Sequence, residues 1–113
     1  MRNIVIFGAT GDLCRRKLIP ALFELHKKNL LPDDFLITGA SRTNHTNQSW
    51  FHTLGSYPQD FLQRLNYAVC DLSDSDSLRN LYAGKDTTFF LSVPPERYGD
   101  AILSLKAAGL VDD

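Results

Sequence analysis

The chain has 113 residues, of which 43% are hydrophobic and 22% are charged, and its formal net charge at pH 7 is -1. This is the size and composition of one water-soluble domain with a single core. The near-neutral charge argues against a nucleic-acid partner, which an excess of Lys and Arg would attract. No apolar run approaches the roughly 20 residues that cross a bilayer, and no signal peptide precedes the first strand. A cytoplasmic protein without a membrane partner is therefore expected.

Cysteine and histidine spacing gives no sign of a metal or redox site. Cys14 and Cys70 form no Cys-x-x-Cys pair, and the three histidines are not spaced as zinc ligands. We expect two reduced thiols that are packed in the core, and no metal. His26 falls on the charged face of a predicted helix and is interpreted as a solvated residue rather than a general base.

The first predicted element is a strand at residues 3–8, where consecutive apolar residues indicate burial on both faces, as in a parallel sheet. It ends at Gly8 and passes through Gly11 into a helix. A glycine turn between a strand and a helix brings backbone N–H groups and the positive helix end to one point, which suits a phosphate. Cys14 stands three residues further, where a third glycine would complete the dinucleotide fingerprint. A purely structural tight turn is the alternative.

An amphipathic helix is predicted from about residue 12 to residue 28, because apolar residues recur at three- and four-residue spacing. Asn29 is suited to end it in a left-handed conformation. Pro20 lacks an amide hydrogen and predicts a kink near Arg16 and Lys17. The kink either bends the helix around the core or tilts its first turns towards a ligand.

The rest of the chain alternates strands with helices, separated by Gly and Pro. This alternation predicts an α/β fold, a Rossmann-like doubly wound and mainly parallel sheet, in the order 3-2-1-4 with the first strand central. The fourth strand is expected to be buried like the first. The remaining elements are predicted as strands at 35–40, 65–70 and 87–93 and as helices within 43–55, at 58–65, from Ser73, and from Pro95 to residue 108.

The end of the second strand indicates which dinucleotide fits. An acid there accepts a hydrogen bond from the ribose 2′-hydroxyl and repels a 2′-phosphate, and none occurs from Gly39 to Thr43. Arg42 offers a planar fork of donors to a phosphate, and Ser41 or Thr43 can add a hydroxyl. The sequence therefore predicts NADP, with a solvated surface arginine as the alternative.

The end of the fourth strand, which includes Ser92, Val93 and Pro94, is predicted to lie beside the first strand, where the strand order reverses. Its backbone would line the nicotinamide side of a bound coenzyme, unless the two prolines only stop the strand. No conventional catalytic set is present: no Tyr is followed four positions later by Lys, and no His has an acidic partner by motif.

The segment Ile6–Leu13, followed by Arg15–Leu22 and then by Gly39–Arg42, closely resembles the amino terminus of the glucose-6-phosphate dehydrogenase family. The resemblance extends through Leu30–Pro32 and, more loosely, to Val93–Tyr98. It implies that residues 1–113 form the NADP-binding Rossmann domain of an oxidoreductase of the pentose phosphate pathway. Such an enzyme oxidises glucose 6-phosphate to 6-phosphogluconolactone and reduces NADP.

The same resemblance implies roles for individual residues. Arg42 with Thr43 would take the 2′-phosphate, and Lys17 would reach towards glucose 6-phosphate. The family's Glu-Lys-Pro segment and its Arg-Ile-Asp-His-Tyr segment, which carries the sugar site and the histidine base, do not occur in the sequence. We therefore expect a fragment without a catalytic residue of its own, which binds NADP weakly and without turnover. The residues expected around the pyrophosphate are Gly8, Thr10, Gly11, Asp12 and Leu13.

Two other functions are consistent with the glycine turn. An extended short-chain reductase-like NADP-binding protein also begins with Gly-x-x-Gly after a strand, although the missing Tyr-x-x-x-Lys argues against it. A non-catalytic NADP sensor or partner-binding module would need only the coenzyme site.

Overall fold

The computed structural model describes residues 2–71, 74–78, 86–91, 99 and 103. The described strands form one parallel sheet in the order β3-β2-β1-β4. The predicted fold class, strand order and central first strand are confirmed. The strands are β1 (Arg2–Phe7), β2 (Leu36–Ser41), β3 (Leu65–Val69) and β4 (Asp86–Leu91).

The first helical segment is divided into a π-helical turn at Cys14–Leu18 and the helix α1 at Ile19–Lys27. In the turn, the Ile19 amide donates to the carbonyl of Cys14, five residues back. Pro20 is then in the first turn of α1, where its missing amide hydrogen is not needed. The distortion predicted near Arg16 and Lys17 thus takes the form of a widened turn.

Asn29 ends α1 as predicted. It has a φ of 56°, in the left-handed region. Its amide donates to the carbonyl of His26 at 3.0 Å, and the amide of Leu30 donates to Leu25 at 2.9 Å. These two bonds satisfy carbonyls that a helix end otherwise leaves without partners.

The other helices with bounds in the described part of the chain are α2 (Asn47–Leu54), α3 (Gln59–Leu62) and α4 (Ser75–Leu78). The first of them begins with a capping box, in which the Thr46 hydroxyl accepts from the Ser49 amide and the Ser49 hydroxyl accepts from the Thr46 amide. The core lies between one face of the sheet and the helices α1, α2 and α3. Its fully buried members include Ile6, Ile19, Ile37, Trp50 and Phe61.

The fourth strand is less buried than the sequence predicts. Thr88 and Phe90 are exposed, whereas Phe89 is half-buried and stacks on Phe7 with ring centroids 6.0 Å apart. Alternate residues of a strand face opposite sides, and in the described part of β4 the side that carries Thr88 and Phe90 is the more exposed one. The expectation of burial on both faces is therefore wrong for this strand. The helix predicted from Pro95 lies outside the described residues.

None of the helices in the part of the chain that the structure describes is both long and apolar enough to cross a membrane.

Candidate functional site

The turn after β1 is hydrogen-bonded to the end of β2. Gly8 has a φ of 81°, where a side chain is disfavoured. The amides of Gly8 and Ala9 donate to the carbonyl of Ala40 at 3.0 and 3.2 Å, and the Gly11 amide donates to the Gly8 carbonyl at 3.0 Å. These bonds fix the turn at the carboxyl edge of the sheet, beside the residues that follow β2.

Three other amides of this turn, those of Thr10, Asp12 and Leu13, have no backbone partner among the described residues. They precede or begin a helix, where unpaired N–H groups and the helix dipole favour an anion. A Cβ on Gly11 would lie 3.3 Å from the Gly8 carbonyl oxygen, so this position is tight for a larger residue. The structure thus brings the five predicted turn residues together, and the three free amides among them form a surface of N–H donors that fits a pyrophosphate.

Asp12 has an ion-pair partner within the same turn. Its carboxylate lies 2.8 Å from the Arg15 guanidinium, and both side chains are largely exposed. A pair this exposed contributes little stability. Its consequence is electrostatic, because Arg15 offsets a negative charge that would otherwise repel an anion at the turn.

A buried tryptophan supports the turn after β1, a contact that was not predicted from the sequence. The indole nitrogen of Trp50 donates to the Ala9 carbonyl at 3.1 Å, and the ring is fully buried. It lies directly over Gly39 on β2. A Cβ at Gly39 would stand 2.4 and 2.5 Å from two carbons of the indole and 2.9 Å from the Ala9 Cβ. The close approach requires a glycine in mid-strand, which is the signal that could have identified the contact.

The residues after β2 form a short loop that is closed by Tyr67 of β3. The Thr43 amide donates to the Ser41 hydroxyl oxygen at 3.1 Å, and the Tyr67 hydroxyl donates to the Thr43 carbonyl at 2.6 Å. The Ser41 and Tyr67 hydroxyls are also hydrogen-bonded to each other. Arg42, between them, is exposed, and its guanidinium has no hydrogen-bond or ion-pair partner among the described residues.

The two hydroxyls that were predicted to bind a phosphate, those of Ser41 and Thr43, differ in their hydrogen bonds. Ser41 is engaged with Tyr67 and with the Thr43 amide, whereas the Thr43 hydroxyl has no side-chain or backbone partner in the described part of the chain. Thr43 is therefore the better donor. No sequence pattern indicated the role of Tyr67, since a single tyrosine on a strand usually packs in the core.

Lys17 is exposed in the π-helical turn, and no described residue forms an ion pair with it. Cys14, at the start of the same turn, is fully buried, and burial raises the pKa of its thiol to about 12. Cys70 is also buried and free. The prediction that both cysteines are buried is confirmed.

His26 is not the solvated residue that the sequence suggested. Its side chain is 13% exposed, its Nδ1 accepts from the Arg64 Nε–H at 2.9 Å, and its Nε2 lies 2.9 Å from the Asp60 carboxylate. The Arg64 guanidinium also donates to the carbonyls of Pro32 and Phe35. This network lies at the amino edge of the sheet, opposite the glycine turn, and ties α1 to α3. In the described residues no group of His, Cys, Asp and Glu could hold a metal ion.

Ser92, Val93 and Pro94 lie outside the described residues. The last described residue of β4, Leu91, pairs with Phe7 of β1.

Comparison with known proteins gives one consistent result. The family model for "Glucose-6-phosphate dehydrogenase, NAD binding domain" matches residues 5–113. A glucose-6-phosphate 1-dehydrogenase of Borreliella burgdorferi is 34% identical over 117 residues, which cover 92% of this chain and 24% of that relative. A chloroplastic glucose-6-phosphate 1-dehydrogenase of Spinacia oleracea is 31% identical, over 88% of this chain and 21% of the relative. The chain thus spans about a quarter of the length of the relatives it matches.

Solved structures agree at the level of the fold. A glucose-6-phosphate dehydrogenase in complex with its substrate glucose-6-phosphate superposes with a TM-score of 0.86 at 23% identity, over 98% of this chain and 28% of that chain. A glucose-6-phosphate 1-dehydrogenase from Mycobacterium avium gives a TM-score of 0.82 at 24% identity.

Proposed function

Because the chain belongs to the glucose-6-phosphate dehydrogenase NAD-binding domain family, we propose that it is the coenzyme-binding domain of such an enzyme and that its coenzyme is NADP. One observation carries this proposal. The turn with its unpaired amides and the loop with its unpartnered arginine emerge from adjacent strands, joined by the bonds from Gly8 and Ala9 to Ala40. The family match favours this function over a short-chain reductase.

The glycine turn would hold the pyrophosphate. Thr10, Asp12 and Leu13 contribute amides, and the small Gly8 and Gly11 let the phosphates approach the backbone. The positive helix end adds attraction that is independent of any side chain. Both coenzymes, NAD and NADP, carry a pyrophosphate, so this part of the site does not discriminate between them.

Discrimination would come from the loop after β2. Arg42 can donate two parallel hydrogen bonds to a phosphate, and Thr43 can add its hydroxyl. No carboxylate occurs between Gly39 and Thr43 that would compete for the ribose or repel the 2′-phosphate. We propose that Ser92, Val93 and Pro94, which follow β4 in the sequence, bind the nicotinamide side of the coenzyme.

The activity proposed for the whole enzyme is the oxidation of glucose 6-phosphate to 6-phosphogluconolactone, a step of the pentose phosphate pathway in the cytoplasm. NADP, when bound, accepts the hydride from the sugar. Lys17 would bind the substrate, since its ammonium is exposed in the π-helical turn beside the glycine turn and has no acidic partner among the described residues. The widened turn before Pro20 would set the direction of this side chain.

A coenzyme titration tests the proposal. Trp50 is the single tryptophan of the chain and contacts the glycine turn, so its fluorescence reports binding there. We expect NADP to bind more tightly than NAD. Arg42→Ala should raise the Kd for NADP about tenfold or more and leave the Kd for NAD nearly unchanged, because a charge-assisted bidentate contact contributes roughly 1.5–3 kcal/mol.

Lys28→Ala is the matched control, because it removes an equal charge at the far end of α1. It should change neither Kd. A preference of the unmodified chain for NAD, or equal weakening of both coenzymes by Arg42→Ala, would contradict the assignment.

A further inference from the structure

The hydroxyl of Tyr67 bonds to both residues that flank Arg42. We propose that Tyr67 is a positioning residue for coenzyme selection, because its hydroxyl closes a ring of hydrogen bonds around Ser41 and Thr43 and so presents Arg42 to the 2′-phosphate. This inference rests on the proposed function. It assigns a role to a strand residue that does not itself contact the coenzyme.

The available protons determine which group donates in each bond of the hydrogen-bond ring. The Tyr67 hydroxyl has one hydrogen, which goes to the Thr43 carbonyl. The Ser41 hydroxyl must therefore donate to the Tyr67 oxygen, and it accepts in turn from the Thr43 amide. Each of the three bonds uses a donor and an acceptor that the other two leave free. Removing the Tyr67 hydroxyl breaks two of the three bonds.

The aromatic ring of Tyr67 is held by its own contacts. Its centroid lies 5.4 Å from that of Trp50 and 5.5 Å from that of His45, the latter in an edge-on arrangement. Burial raises the pKa of the Tyr67 phenol, so the donating form persists. The hydroxyl is thus held in place on β3, and it bonds to both residues that flank the exposed Arg42.

This arrangement affects one coenzyme more than the other. An unrestrained loop would have to be ordered when a 2′-phosphate binds, and that entropy cost weakens affinity. NAD has no 2′-phosphate and makes no use of the Arg42 fork. Loss of the ring should therefore lower the affinity for NADP and leave the affinity for NAD unchanged.

The test is a set of coenzyme titrations on Tyr67→Phe, which retains the ring contacts with Trp50 and His45. We expect the Kd for NADP to rise about three- to tenfold, as for the loss of an ordinary hydrogen bond, and the Kd for NAD to change less than twofold. In the Arg42→Ala background the same substitution should raise the Kd for NADP less than it does in the unmodified chain, because only the Thr43 contact is left to lose. Tyr57→Phe, a half-buried tyrosine packed on Phe23 and Phe61, is the control and should change neither Kd.

A second variant guards against a general loss of folding. Ser41→Ala breaks the same ring from the end of β2, and it should reproduce the effect on NADP. The inference fails if the unmodified chain prefers NADP but Tyr67→Phe weakens neither coenzyme, weakens both equally, or acts fully in the Arg42→Ala background. An unmodified chain without preference for NADP would overturn both this inference and the proposed function.

Discussion

Replacing Gly39 by alanine tests the contact that supports the glycine turn. The added Cβ would lie 2.4 and 2.5 Å from Trp50 ring carbons, against about 3.5–4.0 Å for an ordinary carbon contact, so the indole must move by roughly 1 Å. The indole is fully buried and hydrogen-bonded to Ala9, so this movement disturbs both its packing and its bond. Overpacking of this kind costs about 1–3 kcal/mol, and weakening the bond to Ala9 adds about 1 kcal/mol.

Urea unfolding followed by far-ultraviolet circular dichroism measures the cost. We expect Gly39→Ala to lower the free energy of unfolding by about 2–4 kcal/mol. Gly99→Ala is the control, because a Cβ there meets nothing within 4 Å. The loss should be smaller when Gly39→Ala is made in the Trp50→Phe background, where the ring is smaller. Unchanged or increased stability of Gly39→Ala would refute the reasoning, since an unstrained Gly-to-Ala change typically stabilises a chain slightly.

Three other predictions concern stability. Burial raises the pKa of the Cys14 thiol from 9.0 to about 12, so the thiol ionises in the unfolded chain before it does in the folded one. The free energy of unfolding should therefore fall as pH rises from about 9 towards 12, and urea unfolding at several pH values should show a shallower fall for Cys14→Ala. Asn29→Ala should cost about 1–2 kcal/mol because of its φ of 56°, whereas Asn29→Gly should cost nothing, and equal costs would contradict the capping role. Arg64→Lys keeps the charge but loses the fork that holds Pro32, Phe35 and His26, so thermal unfolding should show a loss of about 1–2 kcal/mol.

The sequence predicted the parts of the fold that depend on local patterns. Periodicity located the strands, Asn29 and Pro20 marked the helix end and its distortion, and the absence of an acid before Thr43 pointed to NADP. These signals act over a few residues, so they can be read from the chain without tertiary contacts.

The sequence could not predict contacts between residues that are distant along the chain. The helical pattern of α1 places His26 among charged residues, as on a surface. Its partners Asp60 and Arg64 lie more than 30 residues further along the chain, so their contact with His26 depends on the tertiary fold. Trp50 and Tyr67 read as ordinary core aromatics. Their hydrogen bonds to Ala9 and Thr43 depend on where the sheet places them.

The most direct test of the coenzyme site is a comparison of backbone amide NMR spectra with NADP and with NAD. The two coenzymes differ only in the 2′-phosphate. We expect the amides of Thr10, Asp12 and Leu13 to shift with both coenzymes, and those of Arg42 and Thr43 to shift strongly with NADP alone. Equal shifts of the Arg42 loop with both coenzymes, or shifts concentrated around His26 and Arg64 at the opposite edge of the sheet, would contradict the assignment.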